Sequence, residues 1–259
     1  MNDQINKAEN NSEENLSLKD MNLVQHISEL RTRLTYAAFF ILAGTIACWG
    51  FSEKLFNIVR HPIEPYLPGG GLIFTGPVDK FMAHIKLSFI AGLALSAPFW
   101  LYQLWKFITP ALYKNEKRFA AGFILFGTFQ FILGLLFSYF IVFPLAFKFL
   151  MTFGGTIDKP MITIDSYLGF FTQTALIFGL TFEMPVIITF LGAIGIVSQK
   201  FLIKNRRYAI VIMAILSAIA APPDALSMIL LLAPLWIMYE ISVFLVGIFE
   251  RKKLANTDS

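Results

Sequence analysis

Long uncharged apolar runs alternate with short polar stretches along this chain, and the run lengths set its architecture. Residues 34–52, 119–147 and 208–223 carry no charge at all, and residues 167–197 carry only Glu183. Two further runs, about 81–107 and about 225–249, are interrupted by Lys86 and Glu240. A helix rising 1.5 Å per residue needs about 20 residues to cross the hydrocarbon layer. The pattern therefore predicts an all-α fold, a polytopic integral membrane protein with six transmembrane helices. The fifth run, 16 residues long, reaches only about 24 Å against a core of about 30 Å. It is joined to the sixth by the tight turn A-A-P-P-D-A. A short, closely coupled fifth and sixth pair is expected to thin the bilayer beside it.

The polar stretches divide the rest. Residues 1–20 are polar and acidic and are expected to form a disordered tail with no cleaved targeting pattern. Residues 21–250 form the single transmembrane domain, and 251–259 a short basic tail. Leu23, Ile27, Leu30 and Leu34 recur at helical spacing, which predicts an amphipathic lead-in to the first span. E-K-L-F-N-I-V-R after that span fits a short interfacial helix, and the loop from Pro62 to Pro77 is too broken to cross the membrane. Lys86 is expected to snorkel to the headgroups, and Pro144 to kink or end the third helix. Asp224, after the double proline, is placed to cap the sixth.

Composition agrees with the pattern: 56% of residues are hydrophobic and 15% charged. Cys48 is the single cysteine, so an intramolecular disulfide is excluded and a packing role is expected. Of the 21 lysines and arginines, fifteen fall before the first span, after the second and fourth, and at the C-terminus; five fall on the other side. By the positive-inside rule both termini are cytoplasmic.

Candidate chemistry then reduces to carboxylates. A carboxylate near the bilayer centre costs roughly 2.5–3.5 kcal/mol to insert, so Glu183 has to face a cavity, a partner helix or another polar group. Glu240, Gln130 and Gln173 are its candidate companions, and Pro185 just beyond it should bend the helix. In H-I-S-E-L-R-T-R-L, residues 26–34, Glu29 either pairs with Arg33 at the four-residue spacing of a plain surface helix or is free for a ligand. In A-L-Y-K-N-E-K-R, residues 111–118, Glu116 stands among Lys114, Lys117 and Arg118, which is either a solvated basic loop or part of a site. Facing each other across the cytoplasmic mouth, Glu29 and Glu116 could accept guanidinium groups in the bidentate geometry that an ammonium lacks. A proton-coupled small-solute transporter is the rival reading of Glu183, although the two halves show no repeat and no matching broken helices. No G-x-S-x-G, H-E-x-x-H or glycine-rich phosphate loop is present, so no enzyme, cofactor or metal site is expected.

Taken in order, H-I-S-E-L-R-T-R-L, A-P-F-W-L-Y-Q-L-W-K-F-I-T-P-A-L-Y-K-N-E-K-R, Y-F-I-V-F-P-L-A-F, F-G-L-T-F-E-M-P-V, A-P-P-D and P-L-W-I-M-Y-E resemble the TatC family, the core subunit of the twin-arginine protein translocase. The likeness extends from about residue 23 to 250. It implies a receptor in the cytoplasmic membrane of a prokaryote that binds signal peptides with paired arginines, on a cupped, glove-like arrangement of helices. It also implies single-span partners of the TatA and TatB kind, self-association, and transport driven by the proton-motive force. By position, Glu29 and Glu116 match the carboxylates that recognise the arginine pair, with Arg31, Phe107, Leu112 and Tyr113 nearby. Glu183 matches the family's intramembrane glutamate, Pro62 its first outer loop and Asp224 its last outer turn. Met228 stands where family members often have a glutamine, which removes a polar contact to a partner helix.

Overall fold

The computed structural model describes residues 27–67, 71–108, 117–152, 161–193, 195–220 and 225–255. The expectations for the 1–20 tail and for Leu112, Tyr113, Glu116 and Asp224 lie outside these residues. Within them the fold is all-α, and a lone parallel β-bridge joins Ile73 to Thr163. The helices are α1 (Ile27–Trp49), α2 (Ser52–Arg60), α3 (Asp79–Leu95), α4 (Ala97–Ile108), α5 (Lys117–Phe137), α6 (Phe143–Thr152), α7 (Ile164–Phe182), α8 (Met184–Ala193), α9 (Gln199–Lys204), α10 (Arg206–Ala220) and α11 (Ala225–Ala255). A 3-10 turn, Glu64–Tyr66, follows α2, so the first connecting loop contains an interfacial helix and a turn but no span.

Among the described residues four helices are long and apolar enough to cross a membrane, and a fifth span results if α3 and α4 count as one. At 15 residues, α10 is about 22 Å long and is as short as its sequence run implies. The sixth helix departs from expectation: α11 runs 31 residues and is not short. Charge ends a hydrophobic run but not a helix, and Glu250, Arg251, Lys252 and Lys253 are good helix formers that extend it past the apolar band.

Two proline effects also differ from the sequence reading. The second span is bent by 62° between α3 and α4. Pro98, second residue of α4, lacks the N–H that would bond Ala94 and is tolerated where a helix restarts, while the Ser96 hydroxyl donates to the Gly92 carbonyl at 2.7 Å. Pro144, by contrast, neither ends nor breaks the third span. A π-helical turn, Ser138–Val142, precedes it, and this wider turn takes up the crowding that the ring imposes on the residue four back. The span continues to Thr152.

Packing relies on small residues where helices cross, because lipid tails supply no hydrophobic drive between helices. A Cβ on Gly44 of α1 would lie 2.6 Å from the Gly92 oxygen of α3, and one on Gly92 would lie 2.3 Å from the Thr45 nitrogen. The two backbones touch there. Val59, Ile63, Leu87, Phe143, Tyr167 and Phe171 form one core cluster at the α2 end of the bundle. Ala37, Trp100, Trp105, Phe131, Val186 and Phe190 form a second, joining α1, α4, α5 and α8. Leu202, Met213, Leu235, Tyr239 and Val246 form a third among α9, α10 and α11. Facing outward, Leu34, Phe39, Leu42 and Ile46 of α1 are exposed, the apolar surface a bilayer covers.

Candidate functional site

Glu29 lies in the first turn of α1, where Arg33 Nη2 donates to its Oε1 at 3.2 Å. Both side chains are partly exposed, so the four-residue pair is formed but contributes only about 0.3–0.5 kcal/mol. Arg31 is exposed, and two residues along a helix put it on the face opposite Glu29. Phe40 stacks on Phe99 at 5.2 Å, Gly44 touches Gly92 and Trp49 meets Phe81, so α1 runs antiparallel to the α3–α4 pair. Glu29 and half-buried Phe107 therefore lie toward the same end of the bundle. There the Trp105 ring stacks on Phe123 at 4.9 Å and meets Phe190 edge-on at 4.5 Å. The end of α4 is thereby locked to α5 and α8.

Glu183 is the hinge residue between α7 and α8. Its own N–H bonds the Leu180 carbonyl, and Pro185 occupies the second position of α8, where a missing N–H costs little. The break at Glu183 is slight, since the bend between α3 and α4 is the one that exceeds 40° among the described helices. Glu183 is 3% exposed, and its Oε1 has no hydrogen-bond partner among the described residues. Across from it, a Cβ on Gly127 of α5 would stand 3.0 Å from Oε2. Gln130, buried one turn further along α5, shares that face. Gly127 was not singled out by sequence; a glycine in a run of phenylalanines was its one signal.

The other expected companions are placed elsewhere. Glu240 accepts a 2.6 Å hydrogen bond from Arg206 Nη2, at the start of α10, so it forms an ion pair and does not join Glu183 in an intramembrane set. Gln173 is exposed and donates to the Ile219 carbonyl. Lys86 does not simply snorkel: its Nζ meets Asp165 Oδ1 at 2.6 Å and ties α3 to α7.

At the opposite end of the bundle from Glu29, Pro62 sits in the turn after α2, beside fully buried Ile63. The Tyr139 hydroxyl donates to the Ile58 carbonyl at 2.8 Å, and the Tyr167 hydroxyl donates to the Val59 carbonyl. These two tyrosines hold the last turn of α2 onto the π turn before α6 and onto α7. Arg60 grips Glu64 Oε1 through Nε and Nη2 at 3.1 and 2.7 Å. That guanidinium holds the Glu64 carboxyl below the usual carboxylate range, and His61 assists.

Comparison with known proteins agrees with this arrangement. Residues 25–234 match the family model described as Sec-independent protein translocase protein (TatC). A Sec-independent protein translocase protein TatC from Desulforapulum autotrophicum is 38% identical over 230 residues, covering 88% of this chain and 85% of its own. One from Aquifex aeolicus is 38% identical over 235 residues, covering 90% and 98%. A crystal structure of the twin-arginine translocase receptor TatC superimposes with a TM-score of 0.80 at 37% identity, over 87% of this chain and 99% of that one. With its helical spans, its buried hinge glutamate and these matches over most of its length, the chain belongs to the TatC family of Sec-independent protein translocase proteins.

Proposed function

We propose that this chain is the receptor subunit of a twin-arginine translocase, a multi-pass protein of a prokaryotic cytoplasmic membrane with six spans and both termini cytoplasmic. Glu29 and Glu116 bind the paired arginines of a signal peptide, with Phe107, Leu112 and Tyr113 lining the approach and Arg31 meeting the peptide or a partner from the other face of α1. Single-span partners of the TatA and TatB kind, and further copies of this chain, complete the complex. Transport of folded cargo is driven by the proton-motive force. Glu183 serves partner coupling, because a buried carboxylate with an unpartnered oxygen at a helix break is a place where a second helix finds a polar contact.

The observation that carries the reading is the occupancy of Glu29. Its carboxylate already holds a guanidinium through Oε1 at a partly exposed position, so an incoming arginine exchanges for a group of its own kind. The test is complementation: a host lacking its own subunit is given this chain with matching single-span partners and a folded reporter bearing paired arginines. Export that stops with a protonophore, and falls sharply in the Glu29→Gln, Glu116→Gln double variant, supports the reading. Export indifferent to both would refute it.

A further inference from the structure

A polar cleft opens at the end of the bundle opposite Glu29, between α2, the segment around Phe74 and the start of α3. It has a volume of about 420 Å³, and its lining includes Glu53, Asn57, Arg60, Lys80, His84 and Phe74. Two of its charges are unmatched. Arg60 is held by Glu64, but neither Glu53 nor Lys80 has an oppositely charged side chain within 4.0 Å among the described residues, although both line the one cleft. Lys80 Nζ instead lies 5.9 Å from the centre of the Phe74 ring. A cation and an anion kept apart across one opening suit a ligand that carries both signs.

The rim says where that ligand comes from. Phe74, Val78, Phe81 and Met82 are all exposed beside the cleft, and Trp49 meets Phe81 edge-on at 5.7 Å, an aromatic girdle of the kind that marks the membrane–water boundary. We infer that this cleft binds a phosphoethanolamine headgroup from a phospholipid of the leaflet on that side. Lys80, Asn57 and His84 take the phosphate oxygens. Glu53 takes the primary ammonium, whose three N–H groups donate where a choline has none to give. The acyl chains leave past Phe74 and Phe81. An anionic glycerol headgroup presents no cation to Glu53, so it fits less well.

Native mass spectrometry of the full chain, released from mixed vesicles of phosphatidylethanolamine, phosphatidylglycerol and phosphatidylcholine, tests this. The expected result is preferential retention of phosphatidylethanolamine, lowered about threefold by Lys80→Ala, as for a partly exposed ion pair. Glu53→Gln is expected to remove the preference over phosphatidylglycerol while leaving total lipid retained. Both side chains are exposed, so the variants keep the fold, which elution profile and circular dichroism verify. Equal retention of the three lipids, or a preference unmoved in the Lys80→Ala, Glu53→Gln double variant, overturns the assignment. Soluble glycerophosphoethanolamine distinguishes the sources: failure to displace the lipid supports a membrane ligand, and displacement at millimolar concentration overturns it in favour of a free headgroup.

Discussion

Glu29 and Glu183 are both carboxylates in an apolar chain, yet their surroundings assign them different work. On the proposed receptor reading Glu29 trades one guanidinium for another, so Glu29→Gln and Glu116→Gln should each weaken binding of a twin-arginine peptide by about tenfold, the loss expected when a charge-assisted bond becomes a neutral one. Arg33→Ala should act oppositely: it frees the Oε1 that Arg33 occupies and should tighten binding by about twofold. Titration calorimetry of the three variants reads both effects, and weaker binding by Arg33→Ala contradicts the exchange. Glu183→Gln should leave peptide affinity unchanged but reduce the single-span partner recovered with the complex. Gly127→Ala, which presses on the Glu183 carboxylate at 3.0 Å, should give a milder form of the same defect. Glu183 was legible in the sequence because it is the one charge in 31 residues. Glu240 was misgrouped because its partner Arg206 lies 34 residues earlier on another helix, and no local pattern announces that pairing.

Helices and their crossings carry the stability. The approach of α1 to α3 depends on Gly44 and Gly92, where an added side chain meets backbone. Gly92→Leu should therefore lower thermal stability in detergent by at least the roughly 1–3 kcal/mol of an overpacked site. Tyr167→Phe removes the hydroxyl that holds the Val59 carbonyl and should cost about 1 kcal/mol, with the 52–67 loop becoming the first site of protease cleavage. Run length alone located the four helices long and apolar enough to cross a membrane among the described residues, and the bent pair that makes a fifth, because a bilayer imposes a minimum length. It did not reveal the bend at Ser96 or the π turn before Pro144. Both are responses to a proline ring by the helix around it, and one proline restarts a helix while the other is absorbed, according to what packs against it. Nor did run length reveal how far α11 extends, since its last turns are polar.

At the scale of the whole molecule, the end carrying α2 is held together by tyrosine hydrogen bonds and ion pairs around a polar cleft, and the end carrying Glu29 is where peptide is expected. The α2 end has a pH dependence of definite sign. Arg60 holds the folded Glu64 carboxyl below its ordinary value, so this contact stabilises the loop above about pH 4.3. The contribution is lost as pH falls through the lower folded value. Hydrogen-exchange protection in residues 60–67, corrected for the intrinsic pH dependence of amide exchange, should fall on acidification below about pH 4, and unchanged protection would contradict the link. With α10 only 15 residues long, thicker bilayers should also slow reconstituted transport, since each ångström of mismatch is costly. The most direct test of the central claim is binding of one signal peptide, with paired arginines or with paired lysines, to the protein in lipid nanodiscs. The charge is equal and only the geometry of the donors differs. A clear preference for arginine that disappears in Glu29→Gln or Glu116→Gln is the result expected here. Equal affinity for the two peptides would contradict the receptor reading.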